Sequence, residues 1–305
     1  MNMTFNEYRD FVRDNYSCLK TTDIVSQSSY NELKEKFLSF GIDSFFKYAS
    51  LDNYHTIENI KNDTFHLSTL MQLNDPLEYV HVIDEIEGCD FPTSVVEKCR
   101  EIKNRIEKNY EFIKGHTTIC SLTTTWSNRS MWGTYASSFK GVCIEFDAVS
   151  IWEFFKEKLF PVVYSDIPPK RRIEQMIMGE AFSEKAFKDM VDNNTWKLYT
   201  SENGVNEQMK LLVDICTTKN ADWSNEKEWR ITNIATNILV EQNAGLIFKG
   251  VSELKPKAVI LGSRIDSQKS KELLNILRLK EIKAYKLKET PYSYELTKEP
   301  IEYNV

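Results

Sequence analysis

Glu226, Glu228 and Arg230 occupy alternate positions in the stretch Glu226-Lys227-Glu228-Trp229-Arg230-Ile231. Alternate side chains of a strand share a face, so the two carboxylates and the guanidinium would point one way. Trp229 and Ile231 would anchor the other face in a core. Two carboxylates on a rigid strand can take separate jobs. One can hydrogen-bond a substrate hydroxyl and favour a nearby oxocarbenium ion, while the other orients or deprotonates an acceptor. The same pattern also makes a solvated strand edge with an Arg–Glu ladder.

Three further constellations carry chemistry. The run Thr118-Ile119-Cys120-Ser121-Leu122-Thr123-Thr124-Thr125 ends a strand in hydroxyl groups, and Met131-Trp132-Gly133-Thr134-Tyr135-Ala136 follows it. Hydroxyls beside a short aromatic helix could hold a ribose or wall a flat heterocycle, or they could be β-forming threonines over core aromatics. Asn74-Asp75-Pro76-Leu77-Glu78 puts an amide and two carboxylates into one turn, where binding residues concentrate. As a plain Asx turn it would satisfy only its own backbone. Lys47-Tyr48 closes the first strand. Lys170-Arg171-Arg172 reads as a solvated helix start or a phosphate contact. Cys120 and Cys143 read as small core residues.

These residues must be positioned by a chain of 305 residues, 41% hydrophobic and 28% charged, which is enough for a sizeable core. A net charge of −6 argues against a general nucleic-acid coat. None of the six cysteines forms a C-x-x-C pair, and the four histidines form no H-E-x-x-H, so no bound metal is expected. With only ten glycines, neither a Rossmann fingerprint nor a P-loop is present. No apolar run spans a bilayer and no secretory pattern opens the chain, so the expected compartment is the cytoplasm, away from membranes.

Periodicity predicts an α+β protein: an N-terminal helical extension over 1–40, then one α+β domain over 41–305 with a helical insertion at about 168–218. Helices are expected over 51–61 with Ser50 as cap, from Pro92 to about Lys114 with Gly115 ending it, over Arg129–Ser138, from Pro168-Pro169 to about Cys216, and over Ser267–Arg278. Strands are expected at Phe45–Tyr48, Thr64–Ser68, Thr117–Leu122, Gly141–Phe146, Pro161–Tyr164, Trp229–Ile234, Ala258–Leu261 and Ile282–Leu287, with an edge strand at Tyr292–Leu296.

The motifs in order resemble the bacterial family catalogued as domain of unknown function 2971 over about residues 45–290. The resemblance lies in Phe46-Lys47-Tyr48, Phe65-His66-Leu67-Ser68, Leu73-Asn74-Asp75-Pro76-Leu77-Glu78, Met131 to Ala136, Lys140 to Asp147, Lys219, Trp223, Glu226 to Arg230 and Val259-Ile260-Leu261-Gly262. A more distant resemblance is to NAD-cleaving ADP-ribosyltransferases, which carry a basic or polar residue ending the first strand, a Ser-Thr-type strand, and a later E-x-E glutamate. Lys47 with Tyr48, Ser121 with Thr123, and Glu226 with Glu228 look like those stations. Lys47 stands where those enzymes use Arg or His, and the second station reads Ser-Leu-Thr.

This second resemblance implies a split, mixed β-sheet with surrounding helices and with NAD, as substrate, in the cleft between its halves. Glu228 would hydrogen-bond the nicotinamide ribose and stabilise its cationic state, and Glu226 would orient the acceptor. Ser121 would hold the ribose or the second glutamate, and Trp132 or Tyr135 would wall the nicotinamide. Asn74 and Asp75 would lie on a loop over the cleft, with Arg230 and Thr123 completing the cofactor-binding set. Such enzymes act on protein, nucleic acid or small molecules, and serve as bacterial toxins or anti-phage effectors with a neutralising partner protein. Two other readings stand beside this one. The first is a non-enzymatic protein-binding effector module, and the second is a nuclease using Asp75, Glu78, Glu226 and Glu228 around magnesium.

Overall fold

The computed structural model describes residues 3–16, 27–84, 93–173, 202–233, 247–248 and 254–303. In chain order the elements are α1 (Phe5–Tyr16), α2 (Gln27–Leu38), β1 (Ser44–Ala49), α3 (Tyr54–Asn62), β2 (Phe65–His66), β3 (Ser68–Thr69), β4 (Val82–Asp84), α4 (Thr93–His116), β5 (Thr118–Thr123), α5 (Arg129–Thr134), β6 (Val142–Asp147) and α6 (Ala148–Phe155). There follow β7 (Leu159–Pro161), β8 (Val163–Tyr164), β9 (Lys170–Arg172), α7 (Glu202–Thr217), β10 (Thr218–Lys219), β11 (Glu228–Asn233), β12 (Ile247–Phe248), β13 (Ala258–Leu261), α8 (Ser267–Leu279), β14 (Lys283–Glu289) and β15 (Leu296–Pro300). A 3-10 turn covers Ala221–Glu226 just ahead of β11.

The fold is α+β, and among the described residues its main sheet runs β15-β14-β13-β6-β1-β5-β11-β7, with β3 also on β5. β13 and β14 are parallel while β6, β1, β5 and β11 pair antiparallel, so the sheet is mixed. The central strands are buried on both faces and read as apolar runs: Val142 to Phe146 and Ala258 to Leu261 are buried throughout. Burying one such side chain contributes roughly 1.5–3 kcal/mol.

α1 and α2 belong to this core. Tyr8 and Val12, one turn apart, and Leu33 and Phe37, likewise, are fully or almost fully buried. Tyr8, Phe37 and Phe45 all pack on the ring of Trp229, at centroid distances of 5.8, 5.8 and 5.4 Å. Trp152 Nε1 donates to Tyr8 Oη at 3.1 Å. α1 and α2 thus hold down the back of β11.

Several local expectations are corrected. Asn53, not Ser50, caps α3, accepting from His55 N at 3.0 Å. α4 runs through Gly115 to His116; its expected start at Pro92 lies outside the described residues. Lys170–Arg172 form β9, paired parallel with β4 through contacts no local pattern encodes, where a helix start was expected. The expected helical insertion falls largely on residues 174–201, outside the described residues. Tyr292 adopts φ +61° in a turn, so the edge strand begins only at Leu296. Glu226 ends the 3-10 turn and Lys227 is left-handed at φ +48°, so β11 starts at Glu228 and Glu226 is not on it.

The site arises from a break in strand pairing. β1 pairs β6 at six positions but β5 at one, Phe46 with Thr123. At its other end β5 pairs β3, through Ser68 with Ile119 and Thr69 with Thr118. Between these anchors the edge of β5 at Cys120, Ser121 and Leu122 faces no paired strand among the described residues. Backbone polar groups at such an opening need partners from a ligand or water.

Candidate active site

A cavity of about 210 Å³ fills that opening. Consecutive residues of both strands line it, Phe46 to Tyr48 on β1 and Ile119 to Leu122 on β5. Side chains alternate between faces, so unbroken runs line a pocket only where it sits between strand edges. Lys47 Nζ spans the gap and donates to Cys120 Sγ at 3.3 Å.

One wall is a buried charge network. Arg230 Nε donates to Glu228 Oε1 at 2.7 Å and Nη2 to Oε2 at 3.0 Å. The same Nη2 reaches Glu78 Oε2 at 2.8 Å, and Nη1 donates to the Cys216 carbonyl at 2.8 Å. Lys219 Nζ sits between three carboxylates: Glu226 at 2.7 Å, Glu78 at 3.1 Å and Glu228 at 3.4 Å. It also lies 4.7 Å from the centroid of the Trp223 ring, a cation–π contact. All five charged side chains are at most 5% exposed.

Local structure explains the convergence. Glu228 and Arg230 share a strand face because Trp229 is buried on the other. Glu226 is turned toward them by the left-handed Lys227, and its backbone carbonyl accepts from Thr123 Oγ1 at 2.6 Å. Glu78 precedes Tyr79, which holds φ +76° while its buried ring donates a hydroxyl to Glu78 Oε2 at 3.2 Å. A non-glycine residue at positive φ stores strain of order 1–3 kcal/mol, typical of functional loops. Lys219 closes β10, which pairs with β8 beside Tyr164. The Tyr164 hydroxyl in turn accepts from Glu228 N at 2.8 Å.

The electrostatics set protonation. Burial alone would raise the Glu228 carboxyl, but Arg230 and Lys219, with a hydrogen bond from Ser121, hold it down at about 2. Burial alone would lower Lys219, but Glu228, Glu78 and Glu226 raise it above the usual lysine range. Burial and the neighbouring Glu226 push the Tyr135 hydroxyl up, and it donates to Glu226 Oε1 at 2.7 Å. Glu228 is therefore an ionised acceptor at neutral pH. Three carboxylates face two cations, a formal excess of one negative charge beside the cavity. Desolvating five ions is costly, and apolar residues of similar volume would often serve stability as well. Concentrated at a cavity wall, such charges make this cavity the candidate functional site.

Of the residues singled out from sequence, Lys47, Tyr48, Asn74, Ser121, Tyr135, Glu226 and Glu228 line this one cavity. Four others do not. Trp132 is fully buried in a second core with Tyr48 and Phe139, donating Nε1 to the Trp126 carbonyl at 2.8 Å, so it cannot wall a ligand. Thr123 and Arg230 lie behind the lining and hold Glu226 and Glu228. Asp75 closes its own turn, Oδ1 accepting from Leu77 N at 2.8 Å. Cys120, read as a core residue, is buried and yet lines the cavity. Glu78, Glu226 and Glu228 converge on the Lys219 ammonium rather than on an open coordination position, and Asp75 is not among them.

Sequence reasoning assigned no role to Lys219 as the centre of the network, nor to Tyr164. The available signal was a lysine seven residues before the first glutamate of E-x-E, across the Trp223 turn. Tyr48 supports the rim, donating to the Thr125 carbonyl at 3.1 Å and accepting from Asn128 N at 3.2 Å.

Together the fold and site define an α+β protein with a polar, charge-lined cavity in an opening of its central sheet. Residues 131–231 match the family model described as Protein of unknown function (DUF2971). That stretch carries Tyr135, Lys219, Glu226, Glu228 and Arg230, while Lys47, Glu78 and Ser121 precede it. No curated protein and no solved structure matches the chain.

Proposed function

We propose that the protein cleaves the bond between nicotinamide and ribose in NAD, passing the ribosyl group to an acceptor. The reading is carried by one observation: Lys47 on β1, Ser121 on β5 and Glu228 at the start of β11, far apart in sequence, line the same cavity. The sheet opening between β1 and β5 is the kind of cleft that this chemistry needs.

In this reading Glu228 accepts from the ribose hydroxyls. Its ionised carboxylate stabilises the positive charge that develops at the anomeric carbon as nicotinamide leaves. Arg230 and Lys219 keep it deprotonated and fixed, so little reorganisation is needed at the transition state. The cavity is smaller than the roughly 300–1,000 Å³ of typical ligand sites. It suits the nicotinamide riboside half, with the rest of the dinucleotide extending past Asn74.

The test is incubation with NAD and measurement of free nicotinamide. Glu228→Gln should lower release by about 100–1,000-fold while the circular dichroism spectrum is unchanged. Equal release from Glu228→Gln and the parent would discard the proposal. A second reading rests on a different observation: Arg230 engages both Glu228 oxygens. With its carboxylate so occupied, the cavity would bind a nucleotide without turning it over. Saturable NAD binding without nicotinamide release, retained in Glu228→Gln, would select it.

A further inference from the structure

We infer that water, not a macromolecule, is the acceptor at this site, so that the protein is an NAD hydrolase. The inference rests on the NAD-cleaving reading and concerns the residue that would serve the acceptor, Glu226.

Glu226 does not reach the surface. Its side chain is 5% exposed, and both oxygens already accept: Oε1 from Tyr135 Oη at 2.7 Å and Oε2 from Lys219 Nζ at 2.7 Å. Each carboxylate oxygen keeps a further lone pair, enough to orient one small donor. Its backbone is fixed as well. Thr123 Oγ1 donates to the Glu226 carbonyl and Asn128 Nδ2 to the neighbouring Asn225 carbonyl, each at 2.6 Å. A carboxylate that guides a protein or nucleic-acid acceptor must meet it at a surface. This one is buried in the wall of a cavity of about 210 Å³ that a nucleoside would largely fill. With a nucleoside seated there, an acceptor would have to be as small as water to reach Glu226.

The step balances. The bond from the anomeric carbon to the nicotinamide nitrogen breaks, and its electron pair leaves with nicotinamide. The water oxygen forms the new bond to that carbon, and its proton passes to the Glu226 carboxylate and then to solvent. The products are nicotinamide, ADP-ribose and one proton.

The experiment uses the full chain and NAD labelled in its adenosine half, with total cell protein, RNA and DNA supplied as competing acceptors. The expected result is free ADP-ribose equal to nicotinamide released, with label on macromolecules about 100-fold lower or less, and Glu226→Gln slowing both products by about 100-fold. Nicotinamide released in excess of ADP-ribose, with label on protein or nucleic acid, would overturn the inference and leave NAD cleavage standing. No nicotinamide release would remove the underlying reading and the inference with it. If Glu226→Gln does not fold, Tyr135→Phe replaces it: the parent's 1:1 product ratio should persist at a lower rate, and a shift toward macromolecular label would refute water as the acceptor.

Discussion

Arg230 clasps Glu228 through two parallel hydrogen bonds, Nε to Oε1 at 2.7 Å and Nη2 to Oε2 at 3.0 Å, with both side chains sealed from solvent. A planar guanidinium matches a carboxylate in this fork geometry, and a lysine ammonium does not. Glu228 lines the cavity and Arg230 lies behind it, so the guanidinium sets the orientation of the one carboxylate that the proposed chemistry depends on.

Removing the cation should therefore be costly. Arg230→Gln leaves Glu228 and Glu78 short of a buried partner and is expected to destabilise the fold by about 3–5 kcal/mol. Arg230→Lys should recover only part of this. Urea unfolding of the three proteins measures it; an Arg230→Gln loss under about 1 kcal/mol would mean that the network carries little energy.

The low Glu228 value predicts a pH dependence. Its folded carboxyl titrates at about 2 against an ordinary 4.5, so the unfolded chain binds this proton more readily. The stability this supplies is complete above about pH 5 and is lost as pH falls from about 4.5 toward 2. Its size is on the order of 3 kcal/mol. The stability gap between the parent and Glu228→Gln should narrow by about 2 kcal/mol between about pH 7 and about pH 3, the rest being lost only as pH falls through about 2. A constant gap in urea titrations would contradict the assigned ionisation.

Trp132 and Tyr135, three residues apart, should separate sharply. Trp132→Ala empties a fully buried site and is expected to cost about 3–5 kcal/mol. Tyr135→Phe loses one hydrogen bond to Glu226 and should cost about 1 kcal/mol, yet weaken binding of an NAD analogue. Thermal melts and calorimetric titration distinguish the two; the idea fails if Trp132→Ala is the milder change.

Gly141 and Gly133 make a further contrast. A Cβ on Gly141 would lie 2.2 Å from the Ala49 carbonyl oxygen at the end of β1, whereas nothing lies within 4 Å of one on Gly133. Gly141→Ala must displace backbone and should cost about 3 kcal/mol or more. Gly133→Ala, within α5, should be neutral or gain about 0.5–1 kcal/mol. Denaturant midpoints would show both signs.

Much of the site was visible in the residues themselves. The apolar runs of β6 and β13, the alternation of Glu228, Trp229 and Arg230, and the hydroxyl-ended β5 are local patterns, because side-chain period follows local backbone geometry. The sequence by itself therefore determined most of the element types and several of the polar lining residues, among them Lys47, Ser121, Tyr135 and the two glutamates. It did not determine that β1 and β5 part after a single pair, since strand neighbours are chosen by chain closure over long separations. Nor did it show that Glu78 would meet Arg230, 152 residues away, or that Lys219 would sit among three carboxylates. Trp132 shows the same limit, because a helix of six residues has an apolar face in sequence but acquires its neighbours only on packing. Tertiary structure decided which charges were desolvated together, and desolvation is what turned scattered glutamates into one ionised, fixed site.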